Sequence, residues 1–512
     1  MSNDVPAINS RQFARWAWRQ LTSMRTALFL LLLLALAAVP GSLIPQRSVD
    51  PQKVEAYFLN NPSSAPIMDR FGMFSVYSSP WFSAIYLLLL VSLVGCIIPR
   101  AGVYARALRA RPPKAPRNFS RLPASASFET SADVETVLAA GRKTLGRARV
   151  DAVDNELRAE TGYLREAGNL IFHICLVIVL VGVATGAMFG YRGSAIVTEG
   201  SGFSNTLTQY DEFSSGALFN TDNLNPFSMT LDNFDAAFQL TGPQRGAPRK
   251  FEATGTFVRT PGAEVKPFTI TVNHPLTVDG TSVFLVGQGY APVIKVTDPR
   301  GDVAFEGAVA FLPTDATYTS TGVIKVPDAE PQQLGFQGFF LPTAVSIGAK
   351  APVSAFPAAA NPLLGLFAYS GDLGLDDGTP QSVFILNKDK LKQFTNKDGT
   401  PLRLSLSTGE IADLPDGSTL QFVGLKQFVK FQFSSSPLLQ VPLWGISIGI
   451  LGLMLSLTIK PRRTWIRARR EGSRTVVEIA VLDRVSRGDL PVNLDDFVER
   501  FKAALAEQKD DA

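Results

Sequence analysis

Four apolar runs constrain this chain more than any other feature. They lie at residues 26–44, 81–98, 169–189 and 438–459, and each is close to the ~20 residues that a helix needs to cross a bilayer. In hydrocarbon every backbone polar group must find its partner within the segment, so runs of this length are read as spanning helices. The expected fold class is a multi-pass α-helical membrane protein with four transmembrane helices. Ala35-Leu36-Ala37 looks like a leader cleavage site, but the run continues to Ile44 behind a long basic arm, so a retained anchor is expected.

The charges that flank the runs set the orientation. Lys and Arg collect on the cytoplasmic side of spanning helices, and Trp favours the interface. The arm 1–25 carries Arg11, Arg15, Arg19 and Arg25 interleaved with Trp16 and Trp18. The second run is closed by Pro99-Arg100 and followed by Arg106, Arg109, Arg111, Lys114 and Arg117; the fourth is followed by Lys460, Arg462, Arg463, Arg467, Arg469 and Arg470. In loop 45–80 the charges roughly cancel: Arg47, Lys53 and Arg70 stand against Asp50, Glu55 and Asp69. The pattern predicts a cell-membrane protein with both termini cytoplasmic, 99–168 and 460–512 inside, and 45–80 and 190–437 outside. With a net charge of only +4, and with the basic clusters accounted for as membrane flanks, nothing points to nucleic acid.

The long stretch without a span, 190–437, reads as a large, mostly β extracytoplasmic domain, a sandwich or distorted barrel. It contains short apolar or alternating runs such as Phe268–Val272 and Val283–Val286, and turn signals at Asp279-Gly280, Asp377-Gly378, Asp398-Gly399 and Asp416-Gly417. On the other side, Ala124–Glu129 alternates like a strand, Asp133–Leu145 has helical spacing, and Arg147–Tyr163 reads as two strands around Asp154-Asn155. The tail offers a hairpin around Gly472-Ser473 and then a helix capped at Asn493 with Leu494, Phe497, Val498, Phe501 and Leu505 on one face. Neither cytoplasmic piece is large enough to bury a core alone. The expectation is that 122–165 and the tail 460–512 pair into one small α+β domain.

Motifs for common chemistries are missing: there is no H-E-x-x-H, P-loop or G-x-S-x-G. The two cysteines, Cys96 and Cys175, both fall in apolar runs, do not form a C-x-x-C, and read as small buried side chains. One of only two histidines, His173, sits inside the third run. An ionisable group there is expensive and is a functional candidate by default. It can hydrogen-bond to a neighbouring helix, relay protons or ligate a metal such as haem iron. Proton relay is the weakest of these, because no Asp, Glu or Lys accompanies it within the runs. It lies about 6 Å along the helix from Asn169 at ~1.5 Å per residue. At ~100° per residue, Asn169, Val177, Leu180 and Ala184 share its side, while Gly182 and Gly186 lie roughly opposite, with Gly190 in step. The glycine face is expected to pack closely on Gly445 and Gly449 of the fourth run, leaving the histidine face for a cofactor or another subunit. The second histidine, His274, falls before a turn in Val272-Asn273-His274-Pro275-Leu276, where a surface or hydrogen-bonding role is the ordinary reading.

Taken together, four stretches resemble the ResB (CcsB) family, membrane subunits of the system II cytochrome c assembly machinery, with the actinobacterial branch the most similar. They are Leu21–Ala27 leading to Val39–Gln46, Gly168–His173, Phe189–Gly193, and Val272–Leu276 continuing to Gly289-Tyr290-Ala291-Pro292. The resemblance covers nearly the whole chain. It implies a complex with a ResC-type (CcsA) membrane subunit that carries the tryptophan-rich haem-handling motif missing here. That complex is expected to move haem b, as a transient substrate, across the membrane to apocytochrome c, whose thiols are kept reduced by thiol-redox proteins acting indirectly. On this reading the chain is not catalytic by itself but part of a haem-attachment complex. The resemblance also implies that His173 ligates the haem iron within the membrane. His274 is the second candidate haem contact, and Gln288 occupies a place where histidine would be expected. The alternative from another class is a cofactor-free, membrane-anchored scaffold whose outer β domain binds a partner.

Overall fold

In a computed structural model of the protein, the described residues are 9–346, 351–375, 378, 382–483 and 490–510. The chain divides into two compact units, Met1–Val183 with Leu439–Ala512, and Ala184–Leu438.

Nine helices occur among the described residues: α1 Ser10–Leu21, α2 Met24–Leu43, α3 Pro51–Asn60, α4 Ala65–Arg70, α5 Pro80–Arg109, α6 Val134–Leu145, α7 Leu164–Phe189, α8 Gln440–Thr458 and α9 Leu490–Asp510. Four of these, α2, α5, α7 and α8, are long and apolar enough to cross a membrane. Their surfaces carry exposed Leu, Ile, Val and Phe side chains, as a lipid-facing helix requires. The Ser23 hydroxyl caps the start of α2 by accepting from the Thr26 amide at 3.2 Å. Pro99 does not end the helix. It lies inside α5, which continues to Arg109. The basic residues that begin the expected loop are therefore on a rigid helix.

The expected polar loop 45–80 has its own architecture. Helices α3 and α4 and a 3₁₀ segment, Met73–Ser78, enclose a small core of Val54, Ala65 and Phe74, backed by Tyr57, Phe58 and Met68. Gln46 organises it. The side-chain amide donates to the carbonyls of Ile44 and Met73, both at 2.9 Å, and its oxygen accepts from the Val76 amide at 2.9 Å. Gly41 sits against the Tyr77 ring, which lies 2.7 Å from where a Cβ would stand. Arg47 pairs with Asp69 at 2.7 Å and lies over the Phe58 and Phe74 rings. That hydrogen bond holds the Asp69 carboxyl below the usual carboxylate range.

A five-stranded antiparallel sheet joins residues far apart in the chain, in the order Ala124–Thr130, Arg474–Asp483, Arg462–Glu471, Glu156–Thr161, Arg149–Val153. Helices α6 and α9 cover one face, burying Val137, Ala140, Leu494 and Phe501 against Leu157, Ile466, Val477 and Ile479. Asp133 caps α6 through the Thr136 amide. The other face is crossed by the proline-broken segment after α5. Trp465 Nε1 donates to the Pro113 carbonyl at 3.0 Å, and Arg467 reaches the carbonyls of Pro116 and Arg117, pairs with Glu156 at 2.8 Å and stacks on Phe119. The last helix begins at Leu490, so Asn493, the expected cap, lies within it.

The second unit is almost entirely β. Its spine is a pair of 17-residue strands, Thr281–Thr297 and Thr419–Ser435, antiparallel along their full length. One end of this ladder contributes Val283, Phe431 and Phe433 to one core, and the other contributes Ile294, Val296, Leu420 and Phe422 to a second. Register irregularities at Leu285/Gly287 and at Val293/Ile294 let the same two strands serve both cores, since an extra residue shifts which side chains face inward. Where one sandwich or barrel was expected, there are two cores strung on one ladder. Of the expected turns, Gly280, Gly399 and Gly417 all take positive φ; Asp377 lies outside the described residues.

Candidate functional site

His173 lies on α7 with its ring half-buried. Its Nδ1 is 2.8 Å from the backbone carbonyl of Asn169, one turn earlier. A carbonyl oxygen can only accept, so Nδ1 carries the proton. In the neutral ring the lone pair is then on Nε2. Fixing one ring nitrogen by a carbonyl is how proteins orient a metal-ligating imidazole and hold its tautomer. The Phe172 ring meets the imidazole edge-on at 5.4 Å between centroids.

The imidazole lines a crevice of about 150 Å³ among α2, α5 and α7. Ala27, Leu28, Leu93, Ile97 and Leu170 make most of its wall; Met24, Cys96, Arg100, Tyr104 and Asn169 complete it. The histidine face of α7 is thus not bare: α5 approaches it, and the Tyr86 hydroxyl donates to the Leu180 carbonyl at 3.2 Å. Arg100 and Tyr104 were not singled out by the sequence as more than flank residues. They join the site because α5 remains helical past Pro99, which keeps Leu93, Ile97, Arg100 and Tyr104 on one face by i, i+3 and i+4 spacing.

Opposite the crevice, α7 packs on α8 through small residues. Gly168, Cys175 and Gly182 are the buried positions of α7, and Gly445, Gly449 and Gly452 those of α8. A Cβ on Gly452 would stand 2.8 Å from the Gly168 carbonyl oxygen, and one on Gly449 3.2 Å from the Cys175 Cβ. Gly182, Gly445 and Gly449 meet the expectation of close packing. The α7 repeat, however, is seven residues, not four, and Gly186 faces Ser436 instead. Both cysteines are free thiols: Cys175 fills this seam, and Cys96 donates to the Thr22 carbonyl at 2.7 Å.

His274 is placed in the other unit, exposed, at a tight turn. Its amide donates to the Thr271 carbonyl at 3.0 Å, and Asn273 takes φ 67° at the position that needs a left-handed residue. The Val-Asn-x-Pro-Leu frame is therefore turn chemistry, and the imidazole faces solvent. Gln288 is 4 % exposed, with its amide beside the Tyr318 hydroxyl. Phe189–Gly193 and the continuation Gly289–Pro292 are also packing features. The Tyr191 hydroxyl bonds Thr281 at 2.8 Å, and the Tyr290 hydroxyl donates to the Pro357 carbonyl at 2.8 Å. Among the described residues no three His, Cys, Asp or Glu side chains gather into a metal-ion site. A haem iron asks less of a protein, since the macrocycle supplies four ligands and only axial ones are needed. An oriented Nε2 at an apolar crevice fits that demand.

A model of the ResB-like family matches residues 24–495, which takes in all of unit 184–438, most of the other unit and every crevice residue. The chain belongs to the ResB-like family. Among its relatives, the cytochrome c biogenesis protein CcsB of a Synechococcus species is 29% identical over 280 residues, covering 53% of this chain and 60% of that protein. CcsB of Gloeobacter violaceus is 26% identical over 319 residues, covering 58% and 63%. CcsB of Thermosynechococcus vestitus is 25% identical over 282 residues, covering 53% and 60%. The matched part of this ResB-like chain thus spans about 60% of the length of the first of these relatives.

Proposed function

We propose that this ResB-like protein is a haem-handling subunit of a cytochrome c synthase complex. The observation that carries the reading is His173, with Nδ1 tied to Asn169 and Nε2 left to bind iron at an apolar crevice. The relatives' names, all cytochrome c biogenesis proteins, support it. Haem b is the substrate, not a resident cofactor. His173 supplies one axial ligand; a ResC/CcsA-type membrane subunit supplies the other and passes the haem to apocytochrome c. The crevice's modest volume supports that division, since sites that enclose a whole small molecule measure about 300–1,000 Å³. In this reading α2, α5, α7 and α8 span the cell membrane with both termini cytoplasmic. The five-stranded sheet lies inside and unit 184–438 outside, as the basic flanks favour. His173 then stands in the cytoplasmic half, where haem would arrive.

The test is His173→Ala in the two-subunit complex. Haem copurifying with it should fall, and added imidazole should restore an axial ligand and shift the Soret band back. Unchanged haem occupancy and unchanged cytochrome c maturation would overturn the assignment. A second reading, a cofactor-free scaffold, draws on the lack, among the described residues, of any group of three His, Cys, Asp or Glu side chains that could hold a metal ion. It predicts no Soret band even when the partner is coexpressed.

A further inference from the structure

The crevice has a polar end that His173 alone does not explain. Arg100 contacts Met24, the first residue of α2, and so marks the end of the crevice where α2 begins. Leu93 lies seven residues earlier on α5, about 10 Å deeper at ~1.5 Å per residue. Helix α7 runs the other way along the wall, so His173 is one turn deeper than Asn169. A ligand in this space therefore meets a cation at its rim, aliphatic side chains along its sides and an imidazole further in.

Arg100 is also underused. Among the described residues its guanidinium Nη2 has only the Met24 thioether, at 2.7 Å, as a hydrogen-bond acceptor, and sulfur is a weak one. No carboxylate pairs with it among the described residues, whereas Arg462, Arg463 and Arg467 all have one. Tyr104, one turn on, lines the same rim, and its hydroxyl has no hydrogen-bond partner among the described residues. A planar guanidinium presents paired N–H groups that match a carboxylate in two parallel hydrogen bonds.

We propose that Arg100, aided by the Tyr104 hydroxyl, is a carboxylate clamp that recognises the anionic edge of a dicarboxylate tetrapyrrole. One apolar edge of the ring enters the crevice, with the carboxylates held at the rim and the rest of the ring left to the partner subunit. The inference rests on the haem reading above and deepens it: Arg100 selects the substrate class and sets the depth at which the ring stops, while His173 binds the metal. The same arrangement makes the polar edge the last part to leave water, which keeps two carboxylates out of the apolar wall.

The test separates the two roles by removing the iron. The full-length chain in phosphatidylcholine nanodiscs is titrated with metal-free protoporphyrin IX and with its dimethyl ester, followed by porphyrin fluorescence. Arg100→Ala should weaken binding of the free diacid by about 10- to 100-fold, the weight of a charge-assisted hydrogen bond. It should leave the diester unchanged, and Arg100→Lys should fall between. Equal binding of the diacid by wild type and Arg100→Ala would overturn the clamp, as would an equal loss for both ligands, which would mark Arg100 as structural. Because the probe has no iron, His173→Ala should not alter the Arg100 effect. Failure of the iron-ligand reading would instead show as an unshifted Soret band for iron haem in His173→Ala, with the diacid preference intact.

Discussion

Gln46→Met is the sharpest probe of how the segment after α2 is held. The side chains are similar in volume, so the change removes polarity with little change in packing. It strips three hydrogen bonds of 2.9 Å, to the Ile44 carbonyl, the Met73 carbonyl and the Val76 amide. Gln46 is only 5 % exposed and Val76 fully buried, so water cannot readily replace the lost partners. Each net hydrogen bond is worth about 1 kcal/mol, and a buried group left unpaired costs more. The local loss is therefore about 3 kcal/mol, near a hundredfold in the opening equilibrium at ~1.4 kcal/mol per factor of ten. Because the chain has several cores, a single melting temperature is a poor readout. Hydrogen exchange of peptides covering 71–79 is the better one, and should speed by about that factor while the five-stranded sheet keeps its protection. Gln46→Glu should behave similarly, because a carboxylate keeps the acceptor for Val76 but has no donor for the two carbonyls. Unchanged exchange over 71–79 in Gln46→Met would refute the account.

Gly452→Leu places a side chain where a Cβ alone would be 2.8 Å from the Gly168 carbonyl oxygen, so α8 must move off α7; the variant should lose monodispersity in detergent, whereas Gly102→Ala, with open space around it, should not. Arg467→Ala removes the contacts to Glu156, Phe119, Pro116 and Arg117 together; trypsin should then cut at Arg117 and Arg121 well before the sheet is attacked, at a local cost of ~2–3 kcal/mol. The Asp69 carboxyl is held below its ordinary value by the Arg47 hydrogen bond, so its stabilising contribution is complete above the unfolded carboxylate range and is lost as pH falls through the lower folded value. In Asp69→Asn this acid-side decline should be smaller when hydrogen exchange of peptides covering 65–72, corrected for its intrinsic pH dependence, is followed against pH, and high salt should blunt it in the wild type because the pair is exposed.

The sequence announced the apolar helices because bilayer thickness demands a length that few soluble elements reach. The strand–turn patterns at Asp154 and at Gly472-Ser473 were legible for a related reason: both have the left-handed residue that a tight turn needs. His173 stood out because ionisable groups are rare in such runs. Other features depended on contacts that no local pattern carries. Pro99 looked like a helix end, but a long helix tolerates a proline where neighbouring helices and side chains absorb the lost bond. Misreading it hid Arg100 and Tyr104. The repeat of seven on α7 was obscured because Cys175, not glycine, holds the middle position. The two-core plan of unit 184–438 depends on register shifts in both long strands, which period-two alternation cannot reveal. The polar look of 45–80 concealed Gln46, a buried amide whose partners lie about 30 residues later.

The five-stranded sheet also fixes an order of events during synthesis. Among the described residues, strand Ala124–Thr130 pairs only with Arg474–Asp483, and the hairpin 149–161 pairs outward only with Arg462–Glu471. Thr161 and its partner Arg462 are separated by 301 residues. At roughly 5–20 residues per second, the first half of the sheet waits about 15–60 s for the second. Throughout that interval it has open strand edges, which invite pairing with other chains. Closure of this small domain therefore reports that α8 and everything before it have been made. A chain cut short before residue 462 would keep those edges exposed and open to pairing with other chains.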